Sequence, residues 1–170
     1  MNSLWTMLDI LRLRRGPQDL PADGGTLIFW LWIALVTGMA VGIPMYGTSQ
    51  ALILNVLDLA VLYLFIVVVL RLGGVPDRWR QTFTAMAGTG ALLGLLMALL
   101  MLIDAPADPE EVSTGALLAL LTLVAWLLLV FGHILQQALE LGSRLVGVLM
   151  ALGYVVVSSV VTQTALGVLS

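Results

Sequence analysis

The sequence has no cysteine and no lysine, and it carries little charge of either sign. The absence of cysteine excludes disulfides, thiolate nucleophiles and thiolate metal sites. Charged residues make up 10% of the chain and hydrophobic residues 61%, whereas soluble domains use about 25% and about 50%. No soluble core of this size could bury so much apolar surface. The composition therefore indicates an integral membrane protein, and the lack of a soluble basic surface excludes nucleic acid as a partner.

Five apolar stretches are long enough to cross a lipid bilayer as helices. A membrane-spanning helix needs about 20 mostly apolar residues, because every backbone polar group in the hydrocarbon layer must be satisfied within the helix. The stretches cover residues 25–45, 51–70, 83–103, 115–139 and 145–169. Glycines and prolines mark the breaks between them. The sequence predicts an all-α fold, in which residues 25–169 form one transmembrane domain of five helices.

The positive charges are confined to three of the regions outside these spans. All seven are arginines: Arg12, Arg14, Arg15, Arg71, Arg78, Arg80 and Arg144. Arginine-rich loops stay in the cytoplasm, so we expect a cytoplasmic N-terminus, an extracytoplasmic C-terminus, and extracytoplasmic loops around Tyr46 and Glu110. The use of arginine without lysine suggests a GC-rich bacterial genome. The expected location is therefore the bacterial cytoplasmic (inner) membrane.

Residues 1–24 precede the first span and carry an amphipathic pattern. One side of a helix here would hold Leu4, Trp5, Met7, Leu8 and Leu11, and another would hold Thr6, Asp9 and Arg12. The helix should end before Gly16 and Pro17. Its tryptophan and arginines suit the cytoplasmic lipid interface. An interfacial anchor for the first span is the simpler interpretation, and a regulatory or partner-docking helix is the alternative.

Asp58 lies well inside the second span, where a charged side chain costs about 3 kcal/mol on insertion scales. Asn55 stands one turn earlier on the same helical face, and both could hydrogen-bond to a neighbouring span or to each other. Ser158, Ser159 and Thr162 make the outer half of the fifth span polar at a similar depth. Asp58 is either a proton or cation site or an acid that fixes helix packing. The polar fifth span either lines a hydrated cavity or bonds across helices.

His133, Gln136, Gln137 and Glu140 follow helical spacings near the cytoplasmic end of the fourth span. Histidine titrates near neutral pH and binds metals. A single histidine without cysteine makes a poor metal site, so we expect no metal and no cofactor. The favoured interpretation is an interfacial polar cap in which Glu140 pairs with Arg144, and a metal or proton-relay role is the alternative.

Small residues recur at four-residue spacing in three spans. They are Gly38 and Gly42, then Gly90, Gly94 and Ala98, and then Gly147 and Ala151. This spacing places each set on one helical face and lets helix backbones approach closely. Packing within the bundle is the expected use, and homo-oligomerisation is the alternative.

Two stretches at the connection between the second and third spans resemble the corresponding part of bacterial Yip1-domain proteins. They are Arg71-Leu72-Gly73-Gly74 and Arg80-Gln81-Thr82, and the last span adds Gly153-Tyr154. The similarity covers about residues 25–169, but residues 85–90 lack the proline and tyrosine that members often carry there. The resemblance implies a non-enzymatic five-span membrane protein. Eukaryotic relatives bind Rab-type GTPases, but no residues of this chain can be assigned a GTPase-binding role from the resemblance.

No catalytic residues are predicted, because the chain has no nucleophile elbow, no H-E-x-x-H helix and no phosphate-binding glycine loop. The favoured function is a scaffold or accessory subunit of a membrane complex. Its protein partner would dock on Arg78, Trp79, Arg80, Trp5 and Arg12. The alternative is a small transporter or channel component with a site around Asp58. A third possibility is a factor that acts on lipids or quinones.

Overall fold

A computed structural model describes residues 3–103 and 114–169, and over these ranges the chain forms helices and no strands. The long helices are α2 (Gly24–Tyr46), α3 (Thr48–Leu72), α4 (Trp79–Ile103), α5 (Thr114–Leu139) and α6 (Arg144–Leu169), preceded by the short helix α1 (Ser3–Leu11). Single 3-10 turns occupy Pro17–Asp19 and Pro76–Arg78. The predicted all-α fold is confirmed, whereas the loop expected around Glu110 lies outside the described residues.

Each predicted span lies within one of the five long helices, and all five are long and apolar enough to cross a membrane. Helices of 23 to 26 residues are about 35–39 Å long at 1.5 Å per residue. Large apolar side chains point outward along them, among them Trp32, Leu64, Leu118 and Val160. A water-soluble bundle would turn such side chains inward. The five helices thus indicate a multi-pass membrane protein.

Neighbouring long helices contact one another in a ring in the order α2, α4, α5, α6, α3 and back to α2, and α3 also contacts α4. Successive helices run in opposite directions. One end of the bundle, which we call the arginine end, holds all seven arginines. The other end, which we call the Tyr46 end, holds the α2–α3 connection. That connection is the single residue Gly47, whose φ of +77° suits glycine.

The arginine half of the bundle is tightly packed, because α1 covers α4 there. Met7 of α1 is fully buried and fills the space beside Gly88 of α4, next to the Trp30 ring. Residues 82–89 of α4 are all buried, so this part of α4 is surrounded on every side. Ile10 and Leu20 belong to the same hydrophobic core.

The predicted division of α1 into two faces was partly wrong. The buried face consists of Thr6, Met7 and Ile10, whereas Leu4 and Trp5 are exposed. In a membrane protein both the protein-facing and the lipid-facing sides of a helix are apolar, so hydrophobicity alone does not distinguish them. Met7 fills the space that Gly88 of α4 leaves open by having no side chain, so the side of α1 that carries Met7 faces the bundle.

Candidate functional site

A cavity of about 550 Å³ lies between the helices, and all five long helices contribute to its wall. Its walls are mostly leucine, methionine, valine, alanine and glycine residues. The cavity extends from Leu62, Phe131 and Tyr154 in the middle of the bundle to Met45 and Tyr46 at the Tyr46 end. Fully buried side chains, including Ile66, Leu70, Ile134 and Leu135, fill the arginine half. The central cavity is therefore closed towards the arginine end.

All five residues of the predicted intramembrane polar site line this cavity. Asn55 and Asp58 lie on α3, and Ser158, Ser159 and Thr162 lie on α6. The sequence predicted only that the two groups share a depth. The structure brings them together because α3 and α6 are neighbours in the ring.

Asp58 is held by two hydroxyl groups of α6. The Tyr154 hydroxyl donates a hydrogen bond of 3.1 Å to Oδ1 of Asp58, and the Ser158 hydroxyl donates to the same oxygen. Tyr154 is only 6% exposed. Its ring packs against Phe65 and Phe131 at centroid distances of 5.4 and 5.9 Å. The tyrosine is thus fixed by aromatic packing and in turn orients the carboxyl group.

Tyr154 is the site residue that sequence reasoning missed. Tyrosine is common at membrane interfaces and is not by itself a sign of a site. However, Tyr154 precedes Ser158 by one helical turn, so both hydroxyls lie on the same face of α6. Extending the polar stripe of α6 by one turn towards the arginine end would have included it.

Asn55 bridges α3 to α2 and has a packing role. Its Nδ2 donates a hydrogen bond of 2.9 Å to the carbonyl of Leu35. The amide also occupies the space beside Gly38 of α2, where an added Cβ would collide with it. Asn55 therefore hydrogen-bonds to α2 and Asp58 to α6. Of the two predicted alternatives, the structure has the one in which these residues bond to neighbouring spans and not to each other.

The predicted small-residue faces pack within the bundle. Gly42 lies against Ala51 of α3, Gly94 against Thr37 of α2, and Gly90 against Phe131 of α5. The closest approach joins α5 and α6, where a Cβ on Gly147 would meet the backbone of Gly132. Ala151 is buried in the core, and Ala98 is half-buried. Gly38, Gly42, Gly90 and Gly94 also line the cavity, whose volume depends on their lack of side chains.

The polar face of α5 ties the segments of the arginine end together. His133, 4% exposed, places Nε2 3.0 Å from the carbonyl of Arg15, which makes that nitrogen the donor. Nε2 of Gln18 donates to Oε1 of Gln137 over 3.4 Å. Among the described residues no group of three His, Cys, Asp or Glu side chains could hold a metal ion. The polar-cap interpretation fits these contacts.

The predicted pairing of Glu140 with Arg144 was wrong, because Glu140 pairs with Arg78. Glu140 directly follows α5 with a φ of +54°, and the chain turns there. Its carboxylate meets the α3–α4 connection at that point, and the Arg78 guanidinium also donates to the carbonyl of Ala138 over 2.9 Å.

The five residues of the predicted docking surface have different environments. Arg78 is held by α5, and the Trp79 ring lies edge-on to Tyr63 at 5.6 Å. The Arg80 guanidinium lies 5.4 Å from the centre of the Trp79 ring. Trp5 is 64% exposed, and Arg12 is exposed as well. Arg78 therefore stabilises the fold, whereas Trp5, Arg12 and Arg80 remain on the surface.

No family model, no curated protein and no solved structure matches the chain. The resemblance to Yip1-domain proteins stays a prediction.

Proposed function

We propose that this chain is a non-enzymatic protein of a bacterial inner membrane that binds a small molecule in its central cavity, as a component of a transporter or channel. The observation that carries the proposal is the convergence of polar side chains from α3 and α6 on one cavity with apolar walls. Small-molecule sites typically have volumes of about 300–1,000 Å³ and a few convergent polar groups.

A role of Asp58 in helix packing alone does not account for the open volume beside it. In the arginine half the same helices pack around fully buried residues such as Ile66 and Leu135. In the Tyr46 half four glycines line the wall instead of larger side chains. The helices thus leave space at the depth of Asp58, the one carboxyl group among the described residues that line the cavity.

The orientation follows from the arginines. All seven lie at one end, and positively charged loops are retained in the cytoplasm. In this orientation the C-terminal end of α6 faces outward, and the cavity extends towards the extracytoplasmic side. A ligand would reach Asp58 from outside the cell membrane, past Tyr46 and Thr162.

Cysteine accessibility tests both the cavity and its orientation, because the chain has no cysteine of its own. Thr162→Cys places a thiol on the cavity wall, and Val160→Cys places one on the outer surface of the same helix, where Val160 is 60% exposed. A membrane-impermeant maleimide applied to intact cells should label Thr162→Cys. Val160→Cys should stay unlabelled, because a thiol in hydrocarbon does not ionise to the reactive thiolate.

Two outcomes would contradict the proposal. If Thr162→Cys is as unreactive as Val160→Cys from both sides of the membrane, the cavity is not hydrated and cannot serve as a binding site. If Thr162→Cys reacts only in inverted membrane vesicles, the orientation is the reverse of the one proposed.

A second candidate function is an accessory subunit that docks a protein partner at the arginine end. The exposed Trp5, Arg12 and Arg80 favour it. Native mass spectrometry of the tagged protein, extracted from its own membrane in a mild detergent, should then show a stoichiometric companion. Arg80→Ala combined with Trp5→Ala should release this companion, while Asp77→Ala, an exposed neighbour, should not. A monomer or homo-oligomer without a companion would rule this candidate out.

A further inference from the structure

The charge distribution around the central cavity is one-sided. Among the described residues that line it, Asp58 has the one acidic or basic side chain, apart from the weakly acidic phenols of Tyr46 and Tyr154. The arginines lie at the arginine end, and none of them lines the cavity. A carboxylate at membrane depth is costly unless an opposite charge accompanies it. Within the described residues the protein supplies none on the cavity wall, so a cationic ligand would stabilise the carboxylate form of Asp58.

The hydrogen bonds of Asp58 leave one carboxyl oxygen available. Tyr154 and Ser158 both donate to Oδ1, and within the described ranges no protein group donates to Oδ2. Hydroxyl donors on Oδ1 orient the carboxylate and stabilise its negative charge. Oδ2 can therefore accept a ligand group that is a hydrogen-bond donor, a cation or both.

The same arrangement argues against anions and divalent metals. An anion would meet a like charge in a medium of low dielectric constant, where repulsion is strong. Calcium takes six to eight oxygen ligands, and magnesium needs an octahedral set. Asp58 is a single carboxyl group, and no cluster of three potential metal ligands exists in the described parts of the chain. A singly charged cation matches the site.

The walls determine what the rest of the ligand must be. Most residues that line the cavity are apolar, and Phe131 and Tyr154 lie at its inner end. An apolar body would pack against these side chains, which cannot replace the water ligands of a small hydrated ion. A volume of about 550 Å³ is that of a site for a drug-sized molecule.

We infer that the central cavity binds a monovalent organic cation with an apolar body, and that the charged group of this ligand pairs with Asp58. The inference rests on the proposed function and gives it a substrate class. The carboxylate selects for charge, and the apolar walls of α2, α4 and α5 select for size and hydrophobicity.

Two probes of nearly equal shape and opposite charge test the inference. The protein is reconstituted into nanodiscs of phosphatidylcholine, which carries no net charge, and binding of tetraphenylphosphonium and tetraphenylborate is measured by equilibrium dialysis against empty nanodiscs. The unaltered protein should bind tetraphenylphosphonium at one saturable site. Tetraphenylborate should not bind above the level of empty nanodiscs. This comparison requires no variant.

Asp58→Asn then locates the site. Asparagine keeps an oxygen that can accept hydrogen bonds from the hydroxyls of Tyr154 and Ser158. It removes the negative charge and replaces the ligand-binding oxygen Oδ2 with an NH2 group. The affinity for tetraphenylphosphonium should fall at least tenfold. Asp77→Asn, which removes an exposed carboxylate at the arginine end, should leave the affinity unchanged. An unaltered melting temperature and a symmetric elution peak would show that Asp58→Asn is folded.

Each contrary result would overturn a different part of the inference or of the proposed function. Equal binding of both probes, or unchanged affinity in a folded Asp58→Asn variant, would overturn the role of the carboxylate in selecting cations. If tetraphenylphosphonium does not bind while Thr162→Cys is labelled from outside, the inference fails and the proposed function stands. If Thr162→Cys is also unreactive, both fail.

Discussion

Arg78 and Glu140, 62 residues apart in sequence, form an ion pair that joins the α3–α4 connection to the end of α5. The same guanidinium donates to the carbonyl of Ala138, one of the last carbonyls of α5 that lack a partner within the helix. Arg78 therefore neutralises a carboxylate and caps a helix end. This contact fixes the start of α4 against α5 at the closed end of the central cavity.

Replacing Arg78 should destabilise the folded protein. We expect Arg78→Ala to lower the free energy of unfolding by about 1–2 kcal/mol, mostly through the lost charged hydrogen bond to a backbone carbonyl. The ion pair is largely exposed and adds less than about 1 kcal/mol. Thermal unfolding in detergent measures the change. Arg80→Ala, which loses only an exposed contact with the Trp79 ring, should have the smaller effect, and equal losses would disprove the role given to Arg78.

The crossing of α5 and α6 should not tolerate a side chain at Gly147. A methyl group there would meet the carbonyl of Gly132 and the backbone nitrogen of Gln136, and backbone atoms cannot move aside as side chains can. We expect Gly147→Ala to cost about 1–3 kcal/mol, the usual range for overpacking. Gly153→Ala is the control on the same helix, because nothing lies within 4 Å of its added Cβ.

Gly153→Ala should be neutral or stabilising by up to about 1 kcal/mol, since alanine is the better helix former. Denaturant titration followed by circular dichroism compares the two variants. Similar stability of Gly147→Ala and Gly153→Ala would mean that α5 and α6 do not cross at this point.

Docking of α1 should depend on Met7 rather than on Trp5. Met7 is fully buried between α4 and Trp30, so Met7→Ala leaves a cavity and should cost about 2 kcal/mol, at the low end for methionine in a core. Amide hydrogen exchange in α1 should accelerate. Trp5→Ala should leave exchange in α1 unchanged, because the ring is mostly exposed. Faster exchange in Trp5→Ala than in Met7→Ala would contradict the packing described.

The cap of α2 should respond to acid. Hydrogen bonds from the backbone and the hydroxyl of Thr26 lower the pKa of Asp23 below its ordinary value of 3.8. The stabilisation is therefore complete above about pH 5 and is lost as the pH falls through the lower pKa of the folded state. The unaltered protein should melt above Asp23→Ala at pH 6, and the difference should shrink towards pH 2.5.

Asparagine provides the matched control for this prediction. Asp23→Asn retains an oxygen that can cap the helix and does not titrate, so its advantage over Asp23→Ala should not change with pH. A difference between the unaltered protein and Asp23→Ala that grows on acidification would reverse the expected sign.

The sequence predicted the helices closely because each span is set by its own hydrophobic length. The predicted stretch 115–139 and the observed α5 (Thr114–Leu139) differ by one residue. Turn residues set the other limits, as Gly47 does between α2 and α3. The depth of Asp58 could also be predicted, since position along a spanning helix fixes depth in the bilayer.

Partners across helices could not be predicted from local pattern. Glu140 has Arg144 one turn away in sequence, but it pairs with Arg78 across the arginine end. Leu4 and Met7 are both apolar, yet one is exposed and the other buried. Local periodicity gives the directions of side chains around one helix axis and carries no information about which helix stands opposite.

The sequence by itself determined the five apolar helices, the segregation of arginines at one end and the presence of a carboxyl group at membrane depth, because these depend on composition and position along single segments. Only the tertiary structure decided the ring order of the helices. That order places Asp58 of α3 beside Tyr154 and Ser158 of α6 and leaves a cavity next to them. Ring order depends on how all the helix surfaces fit together at once, where glycines such as Gly132 and Gly147 permit close contact.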